Sequence, residues 1–335
     1  MELSRMRRLA ALTTAVIFVF AGCGGAGTTV PLGAMTQSRA HQASASRMLL
    51  KAKGEDLLYV VTNNETDIVT YPGLKKVGHL GRPVAFYGTA TSNPNNGDVL
   101  FDSGVPVEFS HLGAFIGAFE PPTGYYSSDA AFDPTTNNIA VTVAEDGERS
   151  KGGAVYVYTS LSGTPTKYVL SVLAPSFLGY DGQGNLFVDG ADISDGEWTL
   201  MELPKGGSTF TTITLNQAFK SMSGIQWDGQ YITLTDRTTI YRLQISGSTG
   251  AVVGGTSLKG AFSDLGNFHN FWIQGSTVIG PASVPGQQNS KYLGFWDYPQ
   301  GGKPIRLLKT LTTHRRSSIV DATVSVAPSG AHIRK

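Results

Sequence analysis

Four residues of the types that hold metals or move protons, Asp129, Asp264, His269 and Asp321, fall at or near the starts of short apolar runs. Carboxylate with imidazole suits Zn²⁺, and carboxylates with carbonyl oxygens suit a hard cation such as Ca²⁺. If those runs are strands converging on one axis, the four side chains could gather there around a divalent metal or a polar ligand. The competing reading is that each caps a strand or holds water, which is the commoner fate of such residues, so no cofactor is required. A second group, Asp189, Asp192, Asp195 and Glu197, is the densest set of carboxylates in the chain. Its spacing lacks the alternating ligands before a glycine that an EF-hand loop uses, which favours a solvated acidic loop. Nucleophile-elbow and phosphate-loop patterns are missing, and Gly247-Ser-Thr-Gly250 reads as a strand turn. His79 and His111 read as an outer-strand and a turn residue. The single cysteine, Cys23, rules out a disulfide within the chain.

The elements that must position these groups are clearest between Phe177 and Leu215. Phe177 to Tyr180 is an apolar run, Asp181-Gly-Gln-Gly a tight turn, and Leu186 to Val188 a second run. Trp198 to Leu203 and Phe210 to Leu215 add two strands joined at Pro204-Lys-Gly-Gly. Four antiparallel strands of this length cannot bury both faces alone and must stack on copies of themselves, which is the logic of a β-propeller blade.

The turn after the third strand recurs six times. With Tyr71, Phe109, Tyr158, Leu203, Ile245 and Tyr298 as markers, the spacings are 38, 49, 45, 42 and 53 residues. The turn between first and second strands occurs only five times, at Pro94 to Asp98, Asp133 to Asn138, Asp181 to Asn185, Asp228 to Gln230 and Gln274 to Ser276. The first blade starts abruptly at Leu57, and the chain ends in an orphan strand, Ile319 to Ala327. The expected fold is therefore an all-β, six-bladed β-propeller in which the C-terminal strand closes blade one and removes its exposed edge.

At the other end, Arg5, Arg7 and Arg8 precede an apolar run from Leu9 to Phe20 that stops at Ala21-Gly22-Cys23. The run has the length of a secretory signal core and is short for a membrane span. It resembles the bacterial lipobox, in which the cysteine is acylated and becomes the mature N-terminus. The expected organisation is a leader over 1–22, a lipidated Cys23 with a Gly-, Ser- and Ala-rich tether over 23–54, the propeller over 55–328 and a disordered tail over 329–335. A net +2 of the formal +1 lies on Glu2, Arg5, Arg7 and Arg8 of the leader, so the remainder sits near −1 and nucleic acid is not an expected partner.

Asp56-Leu-Leu-Tyr-Val-Val, Phe132-Asp-Pro-Thr-Thr-Asn, Gly179-Tyr-Asp-Gly-Gln-Gly-Asn, Glu202-Leu-Pro-Lys-Gly, Ile225-Gln-Trp-Asp-Gly and Phe271-Trp-Ile-Gln-Gly-Ser resemble a group of uncharacterised bacterial secreted or lipid-anchored proteins, broadly similar to NHL-type propellers. The resemblance spans Asp56 to Ala327 and implies no established activity. Gluconolactonase-like propellers share the plan, but their metal ligands find no residue-by-residue match here. The expected function is a monomeric, extracytoplasmic, lipid-anchored platform whose variable loops bind a protein or glycan. The rivals are a metal-assisted hydrolase or lactonase at the channel mouth and a carbohydrate or cell-wall binding module.

Overall fold

The computed structural model describes residues 49–81, 89–121, 126–144, 152–170, 173–261, 270–283, 290–309 and 317–328. Twenty-four strands account for most of them. The first three are β1 (Asp56–Thr62), β2 (Thr66–Tyr71) and β3 (Lys76–Leu80). One sheet follows from β4 (Thr89–Ser92), β5 (Val99–Asp102), β6 (Pro106–Phe109) and β7 (Phe115–Ala118), and the next from β8 (Tyr126–Phe132), β9 (Ile139–Ala144), β10 (Gly153–Tyr158) and β11 (Thr166–Leu170). Then come β12 (Leu173–Tyr180), β13 (Leu186–Asp192), β14 (Trp198–Leu203) and β15 (Thr211–Leu215), followed by β16 (Met222–Trp227), β17 (Ile232–Asp236), β18 (Thr239–Ser246) and β19 (Thr249–Ser257). The chain finishes with β20 (Trp272–Gln274), β21 (Thr277–Ala282), β22 (Tyr292–Asp297), β23 (Arg306–Lys309) and β24 (Ile319–Ser325).

Consecutive strands pair antiparallel, giving four separate four-stranded sheets and one of eight strands. The eight-stranded sheet joins β12–β15 to β16–β19 through a short parallel contact, Thr214 opposite Thr249 and Leu215 opposite Gly250. The orphan C-terminal strand finds the place expected of it. β24 lies antiparallel beside β1, from Leu57 opposite Ser325 to Val61 opposite Asp321, so the first sheet reads β24-β1-β2-β3.

Local chemistry sets the hairpins. After β4, β8, β12 and β16 the turn opens with Asn93, Asp133, Asp181 and Asp228 in turn. Each Oδ1 accepts the N–H two residues on, from Asn95 at 2.9 Å and from Thr135, Gln183 and Gln230 at 2.8 Å. Such Asx turns make the reversal independent of distant contacts.

The period-2 alternation of the strands sends side chains into both flanking gaps. Val99 and Phe101 of β5 face the sheet of β1, whereas Leu100 packs toward β8 and β9. One apolar cluster fills each gap between successive sheets, and Leu58, Val69, Ile279, Leu293 and Val324 bring the last sheet onto the first. Leu49 and Ala52 are also buried, in the cluster between β1–β3 and β4–β7. The last residues of the expected tether over 23–54 are packed from Leu49 onward: Leu49 covers the β3 glycine Gly78 and the turn glycine Gly113, and Ala52 is buried in the same cluster.

Candidate functional site

Strands β4, β8, β12, β16, β20 and β24 are innermost and surround a cavity of about 350 Å³. Each presents its unpaired backbone edge to that channel, and an unpaired buried N–H is costly. Polar side chains on alternate inner strands meet this need. Asp321 Oδ2 of β24 accepts the N–H of Ala90 on β4 at 2.7 Å. Asp129 Oδ2 of β8 accepts the N–H of Leu178 on β12 at 3.0 Å. Gln226 of β16 bonds both polar groups of Ile273 on β20, accepting its N–H at 2.8 Å and donating to its carbonyl at 3.1 Å.

Bulges aim the two aspartates. The pairing register slips between Ser127 and Asp129, and again where Ile319 and Asp321 oppose Thr62 and Val61. Each carboxylate therefore follows an extra residue that turns it toward the neighbouring strand. Burial pushes Asp129 up to about 7 and Asp321 up to about 8, while their hydrogen bonds pull the other way, from Thr89, Leu178 and Ala130 onto Asp129 and from Ala90, Ala322 and Asn270 onto Asp321. The charge on Asp129 raises Asp321 further, so the two sense one another in the low-dielectric channel.

The structure thus brings Asp129 and Asp321 to one cavity; Asp264 and His269 lie outside the described residues, as does Cys23. Among the described residues, no three His, Cys, Asp or Glu side chains are grouped to hold a metal ion. The solvated acidic loop needs one correction. Asp195 and Glu197 do occupy the β13–β14 loop and Asp192 ends β13 at its mouth, where its Oδ1 accepts Ser194 N at 2.8 Å and its carboxyl is held below the usual range by its bonds to Ser194. Asp189 does not belong with them. It is fully buried on β13, its Oδ1 accepts Phe177 N at 2.9 Å, and burial drives its carboxyl well above the ordinary range. Asp102 is its counterpart on β5, bonded through Oδ1 to Ser127 Oγ and Gly104 N and pushed up to about 6 by burial.

Two channel residues were missed by sequence reasoning, Gln226 and Asn270. Asn270 bonds Asp321, and its buried Oδ1 has no partner among the described residues. The available signal was an amide standing among apolar and aromatic neighbours, as in Ile225-Gln-Trp and Asn270-Phe-Trp. Trp227 and Trp272 are half-buried in the cavity wall, and Gly182 leaves room for the first, since a Cβ there would stand 2.9 Å from the Trp227 indole nitrogen. His111, read as a turn residue, is buried. Its Nδ1 lies 2.6 Å from Ser325 Oγ and its Nε2 3.2 Å from the Glu55 carbonyl, so it ties the second sheet to the closing strand.

No model of a known protein family matches the chain, and no curated protein sequence matches it. Solved structures do. A protein of unknown function from Bacteroides caccae aligns with a TM-score of 0.55 at 12% identity, covering 81% of this chain and 99% of that one. A chain of the nidogen/laminin complex aligns with a TM-score of 0.62 at 12% identity, covering 82% of this chain and 100% of its own. At that identity the likeness concerns the fold alone, and it supports a propeller-like arrangement of the sheets described above.

Proposed function

We propose that this protein is an extracytoplasmic, NHL-like six-bladed β-propeller, lipid-anchored through Cys23, that binds a protein or glycan partner on its loop face without turning it over. The six-blade count treats β12–β15 and β16–β19 as separate blades. Strand pairing joins them at only two residue pairs, at their outer edges, while an apolar cluster packs one against the other and β12 and β16 each take their own place around the channel.

The observation that carries binding over catalysis is the use made of the channel acids. Asp129 and Asp321 hold the inner edges of neighbouring sheets through backbone N–H groups. A general acid or base must instead reach a substrate proton. The loops that join second to third strands, such as 63–65 and 193–197, stand on a rigid frame, which suits recognition. A second reading takes a glycan at the other mouth of the channel, where the half-buried Trp227 and Trp272 stand beside the turns at Asp228 and Gln274, because aromatic faces are apolar platforms with a polar handle.

The test is photo-crosslinking from Asn64 and Ser194 on the loop face and from Asn96 on the opposite face, in cells carrying the full chain. Saturable adducts from the loop face alone support the reading. Adducts of equal yield from both faces, or hydrolysis of lactone or ester substrates lost in Asp129→Asn, would replace it with non-specific adhesion or with an enzyme.

A further inference from the structure

We propose that the outer edge of the β4–β7 sheet, with the packed segment that begins at Leu49, seats on the lipid surface, so that the propeller stands with its loop face turned away from the membrane. The inference rests on the anchoring of the chain through Cys23 and adds the face that meets the bilayer.

β7 differs from every other outer strand described. β3 carries Lys76, β11 carries Lys167 and β23 carries Arg306 and Lys309, while β15 and β19 cover each other's edges. β7 reads Phe-Ile-Gly-Ala, uncharged, with an outer edge that no described strand pairs and with Phe115 49% and Ile116 39% exposed. Soluble sheets normally protect such an edge with charge, prolines or cover. Leu161 of the neighbouring sheet, 40% exposed, lies across Gly117 so closely that a Cβ there would stand 2.6 Å from its methyl groups. It extends the apolar rim past the strand.

The chain itself points at this rim. Leu49 packs against Gly113 in the β6–β7 turn, two residues before Phe115. The next residue, Leu50, is 61% exposed, and Lys51 and Lys53 beside it are exposed as well. Apolar side chains flanked by lysines are the composition of an interfacial segment on an anionic surface. Twenty-five residues, 24 to 48, separate this point from Cys23. Because the packed chain begins at Leu49, beside the β6–β7 turn, an acylated Cys23 ties the bilayer to the chain on this side of the ring. A shallow seat places Phe115 and Ile116 at the boundary between headgroups and acyl chains, with the lysines at the phosphates.

The test uses the full lipidated chain in vesicles of phosphatidylethanolamine with a minority of phosphatidylglycerol. Acylation consumes the Cys23 thiol, so Ile116→Cys or Asp195→Cys introduces a single site for an environment-sensitive dye. The expected result is a blue-shifted, several-fold brighter emission at 116 and a water-like emission at 195. Phe115→Asp combined with Ile116→Asp should weaken vesicle partitioning of the non-lipidated Cys23→Ser chain at least about tenfold. A water-like emission at 116 in anchored protein overturns the seat, and so does shielding that grows with protein density rather than lipid, which would mark a second copy on β7. Failure of Cys23 to take up lipid would remove the anchor instead, and partitioning of the Cys23→Ser chain still decides whether the rim binds membrane.

Discussion

Asp321, on the last strand of the chain, accepts the backbone N–H of Ala90 through Oδ2 at 2.7 Å and that of Ala322 through Oδ1 at 2.7 Å. One carboxyl group thus satisfies the inner edge of the second sheet and fixes its own bulged strand within the first. Removing it leaves at least one buried N–H orphaned, a loss of about 1–3 kcal/mol per group. Asp321→Ala should therefore lower stability by about 2–4 kcal/mol in urea unfolding. Asp321→Asn keeps an acceptor for Ala90 and should lose less. Equal losses in the two variants would mean that the hydrogen bond to Ala90 contributes nothing.

The same carboxyl sets a pH dependence whose sign follows from its direction of shift. Burial lifts Asp321 to about 8 and Asp129 to about 7, both above the ordinary 3.8 they regain on unfolding. Between those values the folded chain keeps protons the unfolded chain has released, so stability falls as pH rises and levels off above the folded values. The melting temperature should be higher at pH 6 than at pH 9. Asp321→Asn, which carries no proton to lose, should flatten the slope and narrow its gap to wild type at alkaline pH. A wild-type melt indifferent to pH over that interval would contradict the buried, protonated state.

These relationships divide what the sequence displays from what it hides. The hairpins were legible because Asp133, Asp181 and Asp228 act on backbone two residues away, and such short-range chemistry survives in the order of residues. The closing strand was legible too, since Ile319 to Ser325 alternates like a strand yet has no following partner. The burial of Asp189 was not, because it depends on the irregular register between Pro175 and Leu178 that turns Phe177 N toward it. Gln226 stayed hidden for a related reason: its partner, Ile273, is 47 residues away on another sheet. Leu49 and Ala52 looked like the end of a small-residue tether, and only the distant glycines that Leu49 covers, Gly78 and Gly113, and the cluster that buries Ala52 give them a place.

Ring closure is open to a truncation test. A chain ending at Leu311 loses β24 and with it Ile319, Ala322 and Val324 from the cluster between the last and first sheets. It also bares the edge of β1, whose residues Leu57 to Val61 are buried. The expected product is insoluble or unfolds without a cooperative transition, because burial of a Val or Ile side chain alone is worth about 1.5–3 kcal/mol and three apolar side chains leave together. A soluble product with the melting temperature of the full chain would show that β24 is dispensable. Adding the missing strand back as a peptide should restore part of the cooperativity.

Close approach of inner strands gives the sharpest single-residue contrast. Gly179 on β12 lies where a Cβ would stand 2.6 Å from the carbonyl oxygen of Ile225 on β16, inside any tolerable contact and against backbone that cannot move alone. Gly179→Ala must push β12 and β16 apart and strain the cluster around Phe177, Phe187 and Met222, a cost of about 1–3 kcal/mol. Gly81, by contrast, has nothing among the described residues within 4 Å of a Cβ, and Gly81→Ala should be neutral or slightly stabilising by narrowing the unfolded ensemble. Chemical denaturation of the pair measures the difference directly. If the two variants unfold at the same urea concentration, then the sheets carrying β12 and β16 do not meet at the channel as closely as Gly179 requires.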